Sequence, residues 1–148
     1  TNWFSPSYSP QTDLLYVMAY DGETTYYIRE DDYVAGERFT GGGGVTPLPA
    51  AKYGSAVRAL SPQTGDLKWE YPVQPRSTAG VLSTAGDLVF SGTIDGFFFA
   101  LDGNTGEERW HINLGSRVHA APMSYMVDGK QYVAIAAGNV LFTFGVRE

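Results

Sequence analysis

Apolar residues in this chain occur in short runs, and turn-forming residues (18 Gly and 8 Pro among 148 residues) separate one run from the next. Short apolar runs bounded by turn residues are typical of β-strands. No stretch repeats apolar residues at i, i+3, i+4 and i+7, so the pattern predicts essentially no helix. The predicted strands cover residues 4–8, 14–20, 55–60, 67–71, 80–84, 87–92, 97–101, 108–112, 119–125, 131–137 and 140–144.

An eleven-residue segment occurs twice in the chain, at an offset of 41 residues. Residues 59–69 and 100–110 have Ala, Leu, Thr, Gly and Trp at the same positions. A period of this length falls in the range of propeller blades, which contain four strands each. The repeat therefore predicts an all-β fold, a partial β-propeller of four-stranded antiparallel blades.

The predicted strands divide into three units within one domain, 1–148. Residues 1–72 form a blade with an insertion at 21–53, residues 73–114 form a second blade, and residues 115–148 supply three strands of a last blade. Three blades cannot close a ring, and open blade faces would expose apolar surface. We therefore expect the chain to be the C-terminal part of a longer protein, or to assemble with other copies of itself.

The two tryptophans of the repeat, Trp69 and Trp110, are expected to pack as core residues on the neighbouring blade. The Thr-Gly turns before them require a positive φ, which glycine supplies. The residues predicted to form this docking arrangement are Ala59, Thr64, Gly65, Trp69, Ala100, Asp102, Thr105, Gly106 and Trp110.

Composition and charge exclude several classes of protein and site. A chain with 43 % hydrophobic and 18 % charged residues is not a disordered segment, and no cysteine is present to form disulfides or thiolate metal sites. The net charge of −6 argues against a nucleic-acid partner. The longest nearly uncharged apolar stretch, residues 132–145, is too short and interrupted to span a membrane.

The remaining polar residues predict neither a catalytic group nor a metal site. His111 and His119 have no Asp or Glu at metal-ligand spacing and are interpreted as structural. In the insertion, residues 41–44 are four glycines without the Lys-Ser/Thr of a phosphate loop, and we interpret them as a flexible loop tip. The acidic residues 30–32 favour a solvated face, with a cation site as the alternative.

The repeat Ala-x-Asp-x-x-Thr-Gly-x-x-x-Trp resembles the tryptophan-docking motif of the quinoprotein propellers. The second copy matches it fully, and the first has Ser61 at the Asp position. Residues 2–12 resemble the stretch after the catalytic region of alcohol dehydrogenases that depend on pyrroloquinoline quinone (PQQ). Residues 79–90 resemble their blade leading to the quinone, and residues 128–134 resemble their last blade.

This resemblance implies part of an eight-bladed quinoprotein propeller that oxidises an alcohol in the periplasm, with PQQ and a calcium or lanthanide ion near the central axis. It places the catalytic base and the metal ligands in earlier blades, and it implies a small alcohol, an electron acceptor and the remaining blades as partners. The residues it implies for cofactor binding are Asn2, Trp3, Thr78, Gly80 and Val81, with Thr78 standing where many relatives have Trp.

An alternative from another class stays open at this point. Similar repeats build non-enzymatic scaffolds, such as the outer-membrane assembly lipoproteins, which bind other proteins and no quinone. Residues 2–6 and 80–90 favour the dehydrogenase over the scaffold.

Overall fold

The computed structural model describes residues 2–22, 24–45 and 54–146. Within these ranges the chain forms β-strands and no helix, which confirms the all-β fold. The strands are β1 (Ser7–Ser9), β2 (Leu14–Tyr20), β3 (Thr25–Ile28), β4 (Gly42–Val45), β5 (Ser55–Leu60), β6 (Leu67–Val73), β7 (Leu82–Ser83), β8 (Leu88–Gly92), β9 (Phe97–Asp102), β10 (Glu108–Asn113), β11 (Met123–Val127), β12 (Lys130–Ala137) and β13 (Val140–Gly145).

The described strands form three larger antiparallel sheets that follow one another along the chain. The first has the order β1-β2-β5-β6, the second β7-β8-β9-β10 and the third β11-β12-β13. These sheets belong to one compact unit, Thr1–Tyr20 with Gly54–Glu148. Asp21–Tyr53 forms a second unit, which contains the two-stranded sheet of β3 and β4.

The first strand of each larger sheet is shorter or begins later than the sequence predicts. Pro6 and Pro122 directly precede β1 and β11, and proline has no N–H to donate to a sheet. Before β7, the Val81 N–H donates to the Ser5 carbonyl at 2.8 Å, so this segment bonds to the entry of the first sheet. The apolar pattern continues through these segments because they pack where the sheets meet.

The prediction of a flexible loop at residues 41–44 is wrong for Gly42–Gly44, which belong to β4. Gly43 lies opposite Tyr27, and a Cβ on Gly43 would lie 2.8 Å from the Tyr27 hydroxyl oxygen. A Cβ on Gly44 would lie 2.7 Å from Thr24 Cγ2. Glycine fits this strand because atoms of the facing strand β3, and of Thr24 just before it, fill the space that a Cβ would occupy.

The hydrophobic core lies on both faces of the second sheet, and β9 shows why its sequence is a continuous apolar run. Phe99 and Leu101 pack in a cluster with residues of the first sheet. Phe98, which is fully buried, points to the opposite face and packs with residues of the third sheet. Successive side chains of a strand point to opposite faces of the sheet. Because both faces are buried here, apolar residues occupy successive positions instead of alternating with polar ones.

Trp69 lies on β6 and contacts the second sheet. Its indole N–H donates to the Gly103 carbonyl at 2.9 Å, and the side chain is buried. The Tyr16 hydroxyl donates to the same carbonyl at 3.0 Å. Gly106 has a φ of +75°, and a Cβ there would lie 2.6 Å from Trp69 Cε3. The indole thus rests on a turn that only glycine can form without a clash.

Trp110 on β10, the second tryptophan of the repeat, is less buried than the sequence predicts. It is 39 % exposed, against 9 % for Trp69. Its ring contacts Phe98 and, in the third sheet, Phe144, with centroid distances of 5.9 and 5.4 Å. Among the described residues, no hydrogen-bond acceptor faces its indole N–H. The two equivalent indoles therefore have different surroundings, since Trp69 faces a Thr-Gly turn and Trp110 faces an aromatic side chain.

The two turns that precede these tryptophans have the same backbone form. Gly65 and Gly106 have positive φ values of 76° and 75°. In the second turn, Asp102 Oδ1 accepts the backbone N–H groups of Asn104 and Thr105 at 2.9 and 3.1 Å. In the first, Ser61 Oγ accepts the Thr64 N–H at 3.4 Å. The Ser61 hydroxyl thus takes the place of the Asp102 carboxylate, with a longer hydrogen bond. The alanines at the start of the two repeat copies, Ala59 on β5 and Ala100 on β9, are both buried.

Candidate functional site

The segments that lead into the three larger sheets meet around Gly80. A Cβ on Gly80 would lie 2.6 Å from Ala121 Cβ and 3.2 Å from Ser5 Cβ, so only glycine allows this approach. Gly80 and Ala121 are 41 residues apart, which makes them equivalent positions of the repeat. The residues two positions before Ser5, Gly80 and Ala121 are Trp3, Thr78 and His119, respectively. We call these three residues the entry row.

A hydrogen bond joins two members of the entry row across two sheets. Thr78 Oγ1 and His119 Nδ1 are 2.6 Å apart. In the tautomer in which Nδ1 accepts the Thr78 hydroxyl, Nε2 carries the N–H and remains available to a ligand. Thr78, which the sequence singles out for cofactor binding, thus uses its hydroxyl to orient a histidine that the sequence interpretation treats as structural.

The other residues singled out for cofactor binding fall into two groups. Asn2 and Trp3 are exposed, and Asn2 Oδ1 accepts the Trp3 backbone N–H at 2.9 Å, so the amide NH₂ of Asn2 has no hydrogen-bond partner among the described residues. Trp3 is 68 % exposed and contacts Phe4 edge-on. Gly80 and Val81 are buried at the meeting point of the sheets. Asn2 and Trp3 therefore offer side-chain donors to a ligand. Gly80 and Val81 instead form part of the buried contact between the segments that lead into the sheets.

Beside His119 lies a cavity of about 580 Å³, which we call the Arg117 pocket. It is formed by the turn between β8 and β9, the segment before β11 and the turn between β12 and β13. Its polar lining comes from Asp95, Ser116, Arg117 and His119, and Gly138 lies on its wall. A Cβ on Gly138 would lie 2.2 Å from Ser116 Oγ, so the turn carries glycine where Ser116 approaches.

Arg117 brings a positive charge to this pocket. Its backbone is held by the Gly138 N–H, which donates to the Arg117 carbonyl at 2.9 Å. Its side chain is exposed, and no carboxylate of the described residues lies within ion-pair distance. Asp95 lies on the same lining, where it accepts a hydrogen bond from the Thr93 hydroxyl.

Sequence reasoning missed Ser116, Arg117 and Gly138, although the repeat contains a signal for one of them. Arg76 stands 41 residues before Arg117, at the equivalent position of the preceding unit. The guanidinium of Arg76 lies 4.5 Å from the centre of the Tyr20 ring, a cation–π contact. Two equivalent arginines thus differ in environment, and only the structure shows which one faces a cavity.

Comparison with known proteins identifies the family to which this chain is related. A family model described as glucose/ethanol/alcohol dehydrogenase, beta-propeller domain, matches residues 72–133. A quinoprotein ethanol dehydrogenase of Pseudomonas putida is 36 % identical over 137 residues, which cover 93 % of this chain and 22 % of that protein. The chain belongs to the PQQ-dependent quinoprotein alcohol dehydrogenases. It spans about a fifth of their length as part of the β-propeller domain.

Solved structures of this quinoprotein family superimpose on the chain. The quinohemoprotein alcohol dehydrogenase from Comamonas testosteroni is 31 % identical with a TM-score of 0.81, covering 93 % of this chain and 22 % of that one. A europium-containing methanol dehydrogenase is 32 % identical with a TM-score of 0.81, covering 89 % of this chain and 24 % of that one. The predicted relationship to the PQQ-dependent quinoprotein alcohol dehydrogenases is thereby confirmed.

The side chains of this quinoprotein segment fit the chemistry of PQQ. PQQ is planar and bears carboxylate groups and an ortho-quinone, so it needs hydrogen-bond donors and positive charge. Groups of this kind are present in the amide of Asn2, the indole N–H of Trp3, the guanidinium of Arg117 and the imidazole of His119. Among the described residues, no three His, Cys, Asp or Glu side chains form a group that could hold a metal ion.

A second polar cluster of this segment lies on its outer strands. Glu108 accepts a hydrogen bond from the Tyr71 hydroxyl, and its other oxygen lies 2.5 Å from His111 Nδ1. Burial and the bond to Glu108 raise the pKa of Tyr71 from 10.0 to about 12. Hydrogen bonds from Tyr71 and then His111 lower the pKa of Glu108. Because Tyr71 lies on β6 and Glu108 on β10, the cluster joins two sheets.

The described part of the chain contains no helix long and apolar enough to cross a membrane.

Proposed function

We propose that this chain forms part of the cofactor-binding end of a PQQ-dependent dehydrogenase that oxidises small alcohols in the periplasm. The observation that carries the proposal is the meeting of three sheet entries at Ser5, Gly80 and Ala121, with donor side chains at that same end. The family relationship supports the choice of PQQ, because curated members are named as quinoprotein alcohol and ethanol dehydrogenases.

Each residue at this end has a role that its contacts support. The Asn2 amide and the Trp3 indole N–H donate hydrogen bonds to the cofactor, while Thr78 holds His119 in one ring orientation. Gly80 and Val81 keep the entries close together beneath these donors. When bound, PQQ accepts the electrons and protons removed from the alcohol. In this proposal, other blades supply the catalytic base, the calcium or lanthanide ligands and the contact for the electron acceptor.

The proposal is tested by grafting the chain into a relative that oxidises ethanol by name. In the Pseudomonas putida quinoprotein ethanol dehydrogenase, the matching segment is replaced by this chain. We expect the purified chimera, supplied with PQQ and calcium, to reduce an artificial dye when ethanol or another small primary alcohol is added. Asn2→Ala in the chimera is expected to weaken PQQ binding about tenfold, because a hydrogen bond to a charged or strongly polar ligand is lost.

A matched control keeps loss of folding apart from loss of function. Lys68→Gln changes an exposed residue of β6 beside the Thr-Gly turn, and it is expected to leave dye reduction unchanged. A chimera that has the β-sheet circular dichroism and melting temperature of the parent, but oxidises no alcohol with PQQ and calcium present, would contradict the proposed function.

A further inference from the structure

The Arg117 pocket has the size and lining of a small-molecule site. Its volume of about 580 Å³ lies within the range of such sites, roughly 300–1,000 Å³. The lining combines apolar surface from Ile94, Ala120 and Ala136 with the polar side chains of Ser116, Arg117 and His119. Apolar walls with few polar groups are the usual arrangement for a ligand whose orientation matters.

The positive charge of Arg117 is not neutralised by a neighbouring side chain. Arg29, Arg58 and Arg109 each lie within 3.0 Å of a carboxylate oxygen, and Arg76 stacks on Tyr20. Arg117 has neither kind of contact among the described residues. A guanidinium presents N–H groups in a planar fork that matches the two oxygens of a carboxylate.

The neighbours of Arg117 complete a set of donors. His119 is fixed through Nδ1 by Thr78, so its Nε2 edge remains free for a ligand at the pocket. Ser116 adds a hydroxyl beside Gly138. The only carboxylate of the described lining, Asp95, already accepts a hydrogen bond from Thr93, and its negative charge favours a ligand that also carries an O–H or N–H donor.

We propose that the Arg117 pocket binds a carboxylate group, with Arg117 as the main charge partner and with His119 and Ser116 as hydrogen-bond donors. The carboxylate can belong to PQQ or to a small hydroxycarboxylate. Only the PQQ source rests on the proposed function.

The test is isothermal titration calorimetry on the 148-residue chain with matched pairs of ligands. PQQ is compared with its trimethyl ester, and glycolate with ethylene glycol, so that each pair differs in its carboxylates. We expect at least one carboxylate ligand to bind, and Arg117→Gln to weaken it about tenfold or more, since a hydrogen bond to a charged partner is lost. Arg117→Lys is expected to retain part of the affinity, and His119→Ala to cause a smaller loss.

The controls separate the source of the carboxylate from the site itself. Lys68→Gln also removes one positive charge, at an exposed position that does not line the Arg117 pocket. It is expected to leave the affinity for the carboxylate ligands unchanged. Dependence on Arg117 for PQQ but not glycolate identifies the cofactor as the source, and dependence for glycolate identifies a free hydroxycarboxylate. Circular dichroism confirms that each variant is folded, which the exposed position of Arg117 favours.

Two results would overturn the assignment: neither carboxylate ligand binds the wild-type chain, or folded Arg117→Gln binds both as tightly as the wild type. The chimera assay remains independent, because alcohol oxidation by the chimera reports on the proposed function whether or not glycolate binds the chain.

Discussion

The same substitution at the two equivalent tryptophans is expected to have unequal effects on stability. Trp69→Ala removes a buried indole that contacts Gly106 and donates to the Gly103 carbonyl at 2.9 Å. Truncation of a buried aromatic residue costs about 3–5 kcal/mol. Trp110 is 39 % exposed and has no such hydrogen bond among the described residues. We therefore expect Trp110→Ala to cost about 1–3 kcal/mol, because less apolar surface is lost.

Phenylalanine variants separate the hydrogen bond from the packing. Trp69→Phe retains an aromatic ring but leaves the Gly103 carbonyl with the Tyr16 hydroxyl as its remaining donor, so about 1–2 kcal/mol beyond the change in packing is expected. Trp110→Phe loses no described hydrogen bond and serves as the matched control. The free energy of unfolding is measured by urea titration, followed by far-ultraviolet circular dichroism, with equal m-values required. If Trp69→Ala costs no more than Trp110→Ala, the inferred difference in docking is wrong.

Three other perturbations have outcomes that the structure specifies. Gly106→Ala is expected to cost at least about 2 kcal/mol and Gly65→Ala about 1 kcal/mol in urea unfolding, because both need a positive φ but only Gly106 also lies against an indole; equal costs would contradict the close contact. The lowered pKa of Glu108 stabilises the fold above the ordinary carboxyl pKa of 4.5, and this contribution disappears as pH falls through the lower folded pKa. The stability of Glu108→Gln should therefore depend less on pH between neutrality and acid, and an unchanged dependence in urea titrations would refute the linkage. The isolated chain, given PQQ, calcium and ethanol, is expected to reduce no dye; steady dye reduction would show that it carries the catalytic groups itself.

The fold could be predicted because its signals are local and repeated. The offset of 41 residues between Ala59–Trp69 and Ala100–Trp110 reflects the length of one sheet, and each Thr-Gly pair marks a turn whose positive φ depends on glycine alone. Strand limits were less predictable at the sheet entries, because β1 and β11 begin only after a proline and the bond from Val81 to Ser5 precedes β7. The strand β4 was missed because its glycines are supported by side chains of neighbouring residues such as Tyr27 and Thr24.

The candidate site was only partly predictable, since its residues come from separate parts of the repeat. Asn2 and Trp3 were found through resemblance, and the structure places both at the surface of the end where the entries meet. Thr78 was found for the same reason, but its hydroxyl orients His119. Arg117 could not be distinguished from Arg76 in sequence, because the two occupy equivalent positions and differ only in what lies beside them.

The sequence by itself determined the all-β class, the 41-residue period, the glycine turns and the relationship to the quinoprotein alcohol dehydrogenases, because each depends on residues close together in the chain. The tertiary structure alone decided that Trp69 is buried while Trp110 is partly exposed, that Thr78 bonds to His119, and that Arg117 faces a cavity. These properties depend on which side chains from other sheets lie nearby. Equivalent positions of a repeat share a backbone conformation, but their neighbours are set by the packing of one sheet against the next.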